Sequence, residues 1–212
     1  MRRVDLTLPM IDRAMADGPW TYGNEILYRM CRESPDHTNV PEVIAKVWLI
    51  GRSYAAAIER RKIRFESGDA FYVDKVGPGL VASDIDRWLA DARQCDPTLD
   101  ASLATLLEAH WRLTGLFSAL SGLEKRSLAS KYLHFHVPAL FYIYDSRAVA
   151  AMRRLTRVVG TVLHDYRPSD PDYAAFATKC RCLARHVHDE YGRQLTPRQL
   201  DTLLLEISSE SN

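Results

Sequence analysis

Leu120-Ser121-Gly122-Leu123-Glu124-Lys125-Arg126-Ser127-Leu128-Ala129-Ser130-Lys131-Tyr132-Leu133, followed by Pro138-Ala139-Leu140-Phe141-Tyr142-Ile143-Tyr144-Asp145-Ser146-Arg147, carries the pattern that decides the fold. Gly122 ends one helix, a tight basic turn follows, and a second helix begins near Ser127 and stops before Pro138. Such a turn points backbone N–H groups outward at a helix N-terminus, which suits a phosphate oxygen and reads no base. The apolar strip Leu140, Phe141 and Ile143 then delivers Asp145 to the start of a further helix. A carboxylate arriving on such a strip is partly desolvated, and Arg147, two residues on, is a charge that can tune it.

Outward from this segment the chain punctuates as an all-α protein, with Pro, Asp, Ser and Thr at helix starts and few alternating β-branched runs. Asn39-Val40-Pro41-Glu42 opens a long helix predicted from Val43 to about Arg61, with Val43, Val47, Ile50, Tyr54 and Ala57 on one face. Ser83-Asp84 and Asp100 open two more. Ser169-Asp170-Pro171 starts one that runs to about Tyr191 and stops at Gly192. Thr196-Pro197-Arg198-Gln199 combines a cap, a proline at the first position and a glutamine three after the cap, opening a helix to about Ser208. Residues 65–82 gather Gly68, Gly77, Pro78 and Gly79 and read as an irregular functional or connecting loop.

The 212 residues are 47% hydrophobic and 26% charged, a globular balance, and 1–212 reads as a single helical domain. A formal charge of +1 supplies no overall positive field, so nucleic-acid binding requires sorted charge. Charge is sorted. Residues 69–108 hold eight acids against three bases, whereas 111–160 hold eight bases against two acids, and Arg60-Arg61-Lys62-Ile63-Arg64 forms a second basic run. That arrangement favours a directed anionic partner. The N-terminal residues lack the apolar core of a signal peptide and no apolar run is long enough to span a bilayer, so no membrane partner and a cytoplasmic location are expected. Cys31, Cys95, Cys180 and Cys182 contain no CxxC pair, and Cys182 with His186 on one helix does not specify a metal site. No P-loop, dinucleotide fingerprint or Ser/His/Asp hydrolase signature is present.

The central segment resembles the helix-hairpin-helix DNA glycosylases, and within them the bacterial proteins similar to 8-oxoguanine glycosylase. Leu120-Ser121-Gly122-Leu123 is similar to the family's hairpin, Ser127-Leu128-Ala129 to its post-hairpin triplet, and Ile143-Tyr144-Asp145 to the entry of its catalytic aspartate, while Ala129-Ser130-Lys131 and Tyr144-Asp145-Ser146-Arg147 resemble the 8-oxoguanine-glycosylase-like members. Asp145 stands eighteen residues after Ser127, the family's separation. The likeness covers about 115–150. Three features depart from the pattern. Glu124-Lys125-Arg126 lengthens the hairpin and replaces its second glycine, Ser127 stands where bifunctional members carry Lys, and the cysteines lack the spacing of an iron–sulfur cluster.

The resemblance implies a two-lobed helical fold with a central cleft and hydrolysis of the N-glycosidic bond of a flipped base. The base would be an oxidised purine or a phage-type modified base, in double-stranded or locally opened DNA, with no cofactor and no metal. Bond cleavage develops positive charge on the sugar, which a partly buried carboxylate stabilises, and the resemblance gives that role to Asp145. Ser127 in the lysine slot implies simple hydrolysis. A shifted register would restore the amine of Lys125 or Lys131, which attacks the sugar and leads on to strand cleavage. Gly122, Leu123, Lys125, Arg126 and Arg147 are the phosphate-binding candidates, and Trp48, Arg52, Tyr54, Trp111, Tyr132, Phe141 and Tyr142 the base-pocket candidates. Two other readings stand beside this one: a helical nucleic-acid-binding domain without activity, and a helical protein-interaction module. No protein partner is implied.

Overall fold

In the computed structural model, which describes residues 4–60, 68–155 and 168–209, every regular element is helical. The helices are α1 (Leu8–Met15), α2 (Thr21–Glu33), α3 (Val40–Ser53), α4 (Gly68–Phe71), α5 (Gly77–Val81), α6 (Ile85–Arg93), α7 (Ser102–Ser121), α8 (Arg126–His136), α9 (Ser146–Arg154), α10 (Pro171–Tyr191) and α11 (Pro197–Ser209), with a π-helical turn Tyr72–Val76 joining α4 to α5. None of these helices is long and apolar enough to cross a membrane.

The caps fall where the residue chemistry places them. The Asp145 carboxylate accepts from Ala148 N at 2.9 Å, and the Asp170 carboxylate accepts from the Asp172 and Tyr173 N–H groups. Thr196 and Gln199 close a reciprocal capping box at the start of α11. Gly122 and Gly192 end α7 and α10 in the left-handed region, at φ 75° and 63°, where a side chain would strain the backbone.

α8 is the centre of the packing. Every residue from Leu128 to His136 is buried, because α2, α3 and α7 pack around it. α11 lies on α9 and α1, and ties the two ends of the described chain together. Arg13 pairs with Glu206 at 2.5 Å, Tyr191 Oη donates to Leu6 O at 2.8 Å, and Arg154 donates to the Ile207 carbonyl.

Two sequence expectations are corrected. α3 stops at Ser53 rather than near Arg61. Ala55 enters the left-handed region (φ 50°) and Ala56 N donates to Gly51 O at 2.7 Å, so the chain turns back over its own helix end. A Cβ on Gly51 would lie 3.1 Å from the Ala57 Cα; the glycine that looks out of place in a long helix is the surface on which the returning backbone rests. Residues 61–64 of the basic run lie outside the described residues.

The second correction concerns the stretch read as a loop over 65–82, which is helical from Gly68 to Val81; 65–67 lie outside the described residues. Pro78 offers no N–H to the Asp74 carbonyl, and the helix widens into the π turn just before it. The glycines serve close approach rather than looseness. A Cβ on Gly77 would lie 2.7 Å from Val40 Cγ1 and 3.0 Å from Ile44 Cγ1. Gly77→Ala is therefore expected to lower stability by about 1–3 kcal/mol through overpacking. Exposed Gly115→Ala in α7, whose Cβ meets nothing within 4 Å, should instead gain up to ~1 kcal/mol of helix propensity. Denaturant midpoints of the two variants moving in the same direction would refute this account of Gly77.

Candidate functional site

The hairpin sets the first side of the site. α7 ends at Gly122, the turn runs through Leu123, Glu124 and Lys125, and α8 begins at Arg126 with no side chain capping its N-terminus. The two basic side chains of the turn bind the protein itself. Arg126 Nε donates to Asp170 Oδ2 at 2.6 Å, its other nitrogens meet Asp172 and Glu124 at 3.3 and 3.4 Å, and its guanidinium lies over the Tyr144 ring. Lys125 Nζ donates to the Arg60 carbonyl at 2.5 Å. Gly122 is exposed and Leu123 half-buried, and their backbone N–H groups donate within the protein, to Ser118 O at 2.8 Å and to Ser121 Oγ at 3.3 Å.

One helical turn into α8 stands the buried amine. Lys131 Nζ donates to Ser127 Oγ at 2.8 Å, meets Asp145 Oδ2 at 3.7 Å, and lies over the Tyr54 ring at 5.8 Å. Burial lowers the affinity of this amine for its proton, and the Asp145 carboxylate partly restores it. The Asp145 side chain retains a quarter of its exposure against 3% for Lys131, so the carboxylate faces the outside and the amine sits beneath it. One carboxylate oxygen is fixed by the α9 N-terminus and the other by the amine.

Behind the amine, α11 supplies two charged groups that the sequence reading did not pick out. Arg198 Nη1 donates to Asp201 Oδ2 at 3.0 Å, and Arg198 Nε donates to Tyr28 Oη at 3.1 Å. The guanidinium lies 5.4 Å from the Tyr54 ring centre and 5.6 Å from that of Phe135. Tyr28 Oη meets His134 Nε2 at 2.6 Å, and His134 Nδ1 meets the Phe141 carbonyl at 2.8 Å. The carbonyl can only accept, so Nδ1 carries the hydrogen and Tyr28 donates to Nε2. Burial holds His134 neutral, at about 3. Asp201 is pushed up to about 7 by burial, against the pull of Arg198. Its Oδ1 and Arg198 Nη2 are buried without a hydrogen-bond partner among the described residues. The only sequence signal for this pair is an Arg and an Asp three residues apart on the flank of the stripe Leu200, Leu203, Leu204 and Ile207.

Of the predicted site residues, the fold brings Ser127, Lys131, Asp145 and Tyr54 together. Burial pushes the Tyr54 phenol up to about 12, and it donates to Asn24 Oδ1 at 2.5 Å. The other base-pocket candidates go elsewhere. Tyr132 and Phe141 are fully buried core residues, and the Tyr132 hydroxyl meets His37 Nε2 at 2.7 Å. Tyr142 is half-buried, and its carbonyl accepts from Tyr173. Trp48 and Trp111 are 43% and 45% exposed. Arg52 lies over Trp48 and pairs with Glu59 at 2.6 Å. Arg147 is exposed, with Nη2 3.4 Å from Ser209 Oγ. A pocket of about 160 Å³ opens between α6 and α7, walled by Trp88 and the Arg112–Glu108 pair, and shares no residue with this site. Among the described residues no group of three or more His, Cys, Asp or Glu side chains could hold a metal ion.

No protein family, curated protein or solved structure matches the chain.

Proposed function

We propose that this chain is a DNA N-glycosylase that cleaves the N-glycosidic bond of a damaged or modified base turned out of the duplex, with Asp145 as its catalytic carboxylate. The observation that supports this best is the pairing of Asp145 with Lys131 at 3.7 Å, the lysine standing on the helix that follows the turn Gly122–Lys125. As the base departs with the bonding electron pair, positive charge grows on the sugar C1′ and ring oxygen. A carboxylate fixed by a helix N-terminus and an amine stabilises that charge without reorganising. It then orients a water toward C1′ and accepts its proton. Lys125 and Arg126 and the Gly122 and Leu123 N–H groups are engaged within the protein, so phosphate recognition falls to the uncapped start of α8.

A second form of the reaction is favoured by one observation. Ser127 stands at the slot expected to hold the nucleophile, and the Lys131 amine reaches it from one turn on, at 2.8 Å from the hydroxyl. In this form the neutral amine bonds to C1′ as the bond to the base breaks and the base takes up a proton. The nitrogen then loses a proton, the C1′–O4′ bond breaks with O4′ taking a proton, and the ring-opened iminium that results is reduced by borohydride.

Duplexes carrying 8-oxoguanine, hypoxanthine or hypermodified pyrimidines test both forms. Wild-type protein should convert at least one of them to an abasic site, and binding should weaken steeply with salt. If the amine is the nucleophile, borohydride traps a covalent complex that Lys131→Met abolishes. Conversion of no substrate, together with salt-insensitive binding, would overturn the glycosylase reading.

A further inference from the structure

The charged cluster behind Asp145 holds two carboxylates and two cations, and only one of the carboxylates is accessible. Asp201 is 3% exposed, with Oδ2 held by Arg198 Nη1 at 3.0 Å and Oδ1 buried against no donor among the described residues. A bare carboxylate oxygen without a donor is among the costliest groups to bury, whereas a proton on that oxygen removes most of the penalty. Every element packed around Asp201 presents a group to it or its surroundings. α8 brings Lys131, α9 brings Asp145 and Arg147, and α11 itself brings Arg198, all within electrostatic reach. α2 and α3 bring Tyr28 and Tyr54, and α10 brings Cys180. On α1, Arg13 is engaged by Glu206 further along α11.

We infer that Asp201 is a positioning residue of this site, a buried carboxyl that by gaining or losing its proton sets the charge on the Lys131 amine. The inference rests on the glycosylase reading for its catalytic meaning and on the cluster alone for its electrostatics. When Asp201 is protonated, Lys131 has Asp145 as its one neighbouring anion and releases its proton more readily. When Asp201 is ionised, a second anion stands behind the amine and holds it as ammonium, unable to attack. The same proton governs folding. A carboxyl raised to about 7 in the folded chain, against ~3.9 unfolded, contributes stability present below the unfolded value and lost as pH climbs toward 7.

Asp201 is followed directly by carbon-13 NMR of protein labelled at aspartate carboxyls, its signal identified by its loss in Asp201→Asn. The expected titration midpoint lies near 7. Lys131→Met should raise it and Asp145→Asn lower it, each by roughly one pH unit. An ordinary midpoint near 4, or one that neither variant moves, overturns the inference whether or not the protein excises bases. For a protein in which the Lys131 amine is the nucleophile, Asp201→Asn should move the alkaline rise of borohydride trapping to lower pH by about one unit. A uniform loss of trapping at every pH would instead show that Asp201 serves the fold alone. Wild-type protein that converts no substrate and binds DNA without salt dependence would defeat the glycosylase reading and leave the NMR midpoints to decide the electrostatic one.

Discussion

Asp145→Asn is expected to lower single-turnover base release by at least ~100-fold, the range seen when one preorganised electrostatic group is removed from a transition state. The variant is informative because the structure separates the two roles of the side chain. As the α9 N-cap, Asp145 accepts from Ala148 N, and Asn caps a helix about as well, so the melting temperature should stay within a few degrees. As the partner of Lys131 it supplies a negative charge, which Asn lacks. Asp145→Ala removes both and should lose a further ~1 kcal/mol of stability. Base release by Asp145→Asn equal to wild type would take this carboxylate out of the mechanism, and a large drop in its melting temperature would show that the charge serves the fold.

The largest effect on stability is expected from Lys46→Met. The Lys46 side chain is completely buried, and its amine donates to the Ser34 and Asp36 carbonyls at 2.9 and 2.8 Å. Ser34 is the C-cap of α2, so the lysine closes the open end of that helix and fixes the connection to α3. The same connection carries His37, whose backbone N–H and Nδ1 reach Asp86 on α6 and whose Nε2 reaches Tyr132 on α8. Methionine fills nearly the same volume but leaves both carbonyls without their donor. The expected loss is about 3 kcal/mol, or roughly 6–12 °C in melting temperature for a domain of this size. Burial lowers the Lys46 affinity for its proton, so wild-type stability should gain as pH rises from the depressed folded value toward that of free lysine. The methionine variant lacks that gain. A loss below 1 kcal/mol would show that water or backbone shifts satisfy the carbonyls.

The parts of this molecule that were readable in advance are those specified by local chemistry. Gly122 needs positive φ, Asp145 and Asp170 accept from the N–H groups that follow them, and Thr196 with Gln199 closes on itself; each can be seen within a few residues of sequence. What misled were the glycines of 65–82, whose partners lie far along the chain. Gly77 against Val40 and Ile44, and Gly79 against Leu120, look like breaks in helical pattern until the neighbouring segment is in place. The same limit applies to the site. The separation of Ser127 and Asp145 was visible, whereas the arrival of Lys131 at Ser127 follows from the rise of one helical turn and its place among buried neighbours. Arg198 and Asp201 join only through the packing of α11 on α9 and α1. Tyr132 and Phe141 belong to the core because α8 is enclosed on every side, which no single-helix pattern reveals.

That packing bears on how the protein is made. Synthesis runs from the N-terminus at about 5–20 residues per second, and helices already outside the ribosome begin to pack as they emerge. The hairpin, Lys131 and Asp145 can assemble early, yet the guanidinium and second carboxyl behind them arrive only with residues 197–209. Until then the lysine lacks its rear electrostatic wall, and α9 and α1 expose the apolar faces that α11 later covers. A nascent chain is thus chemically unfinished up to one late docking event, which couples the onset of any reactivity to completion of that closure.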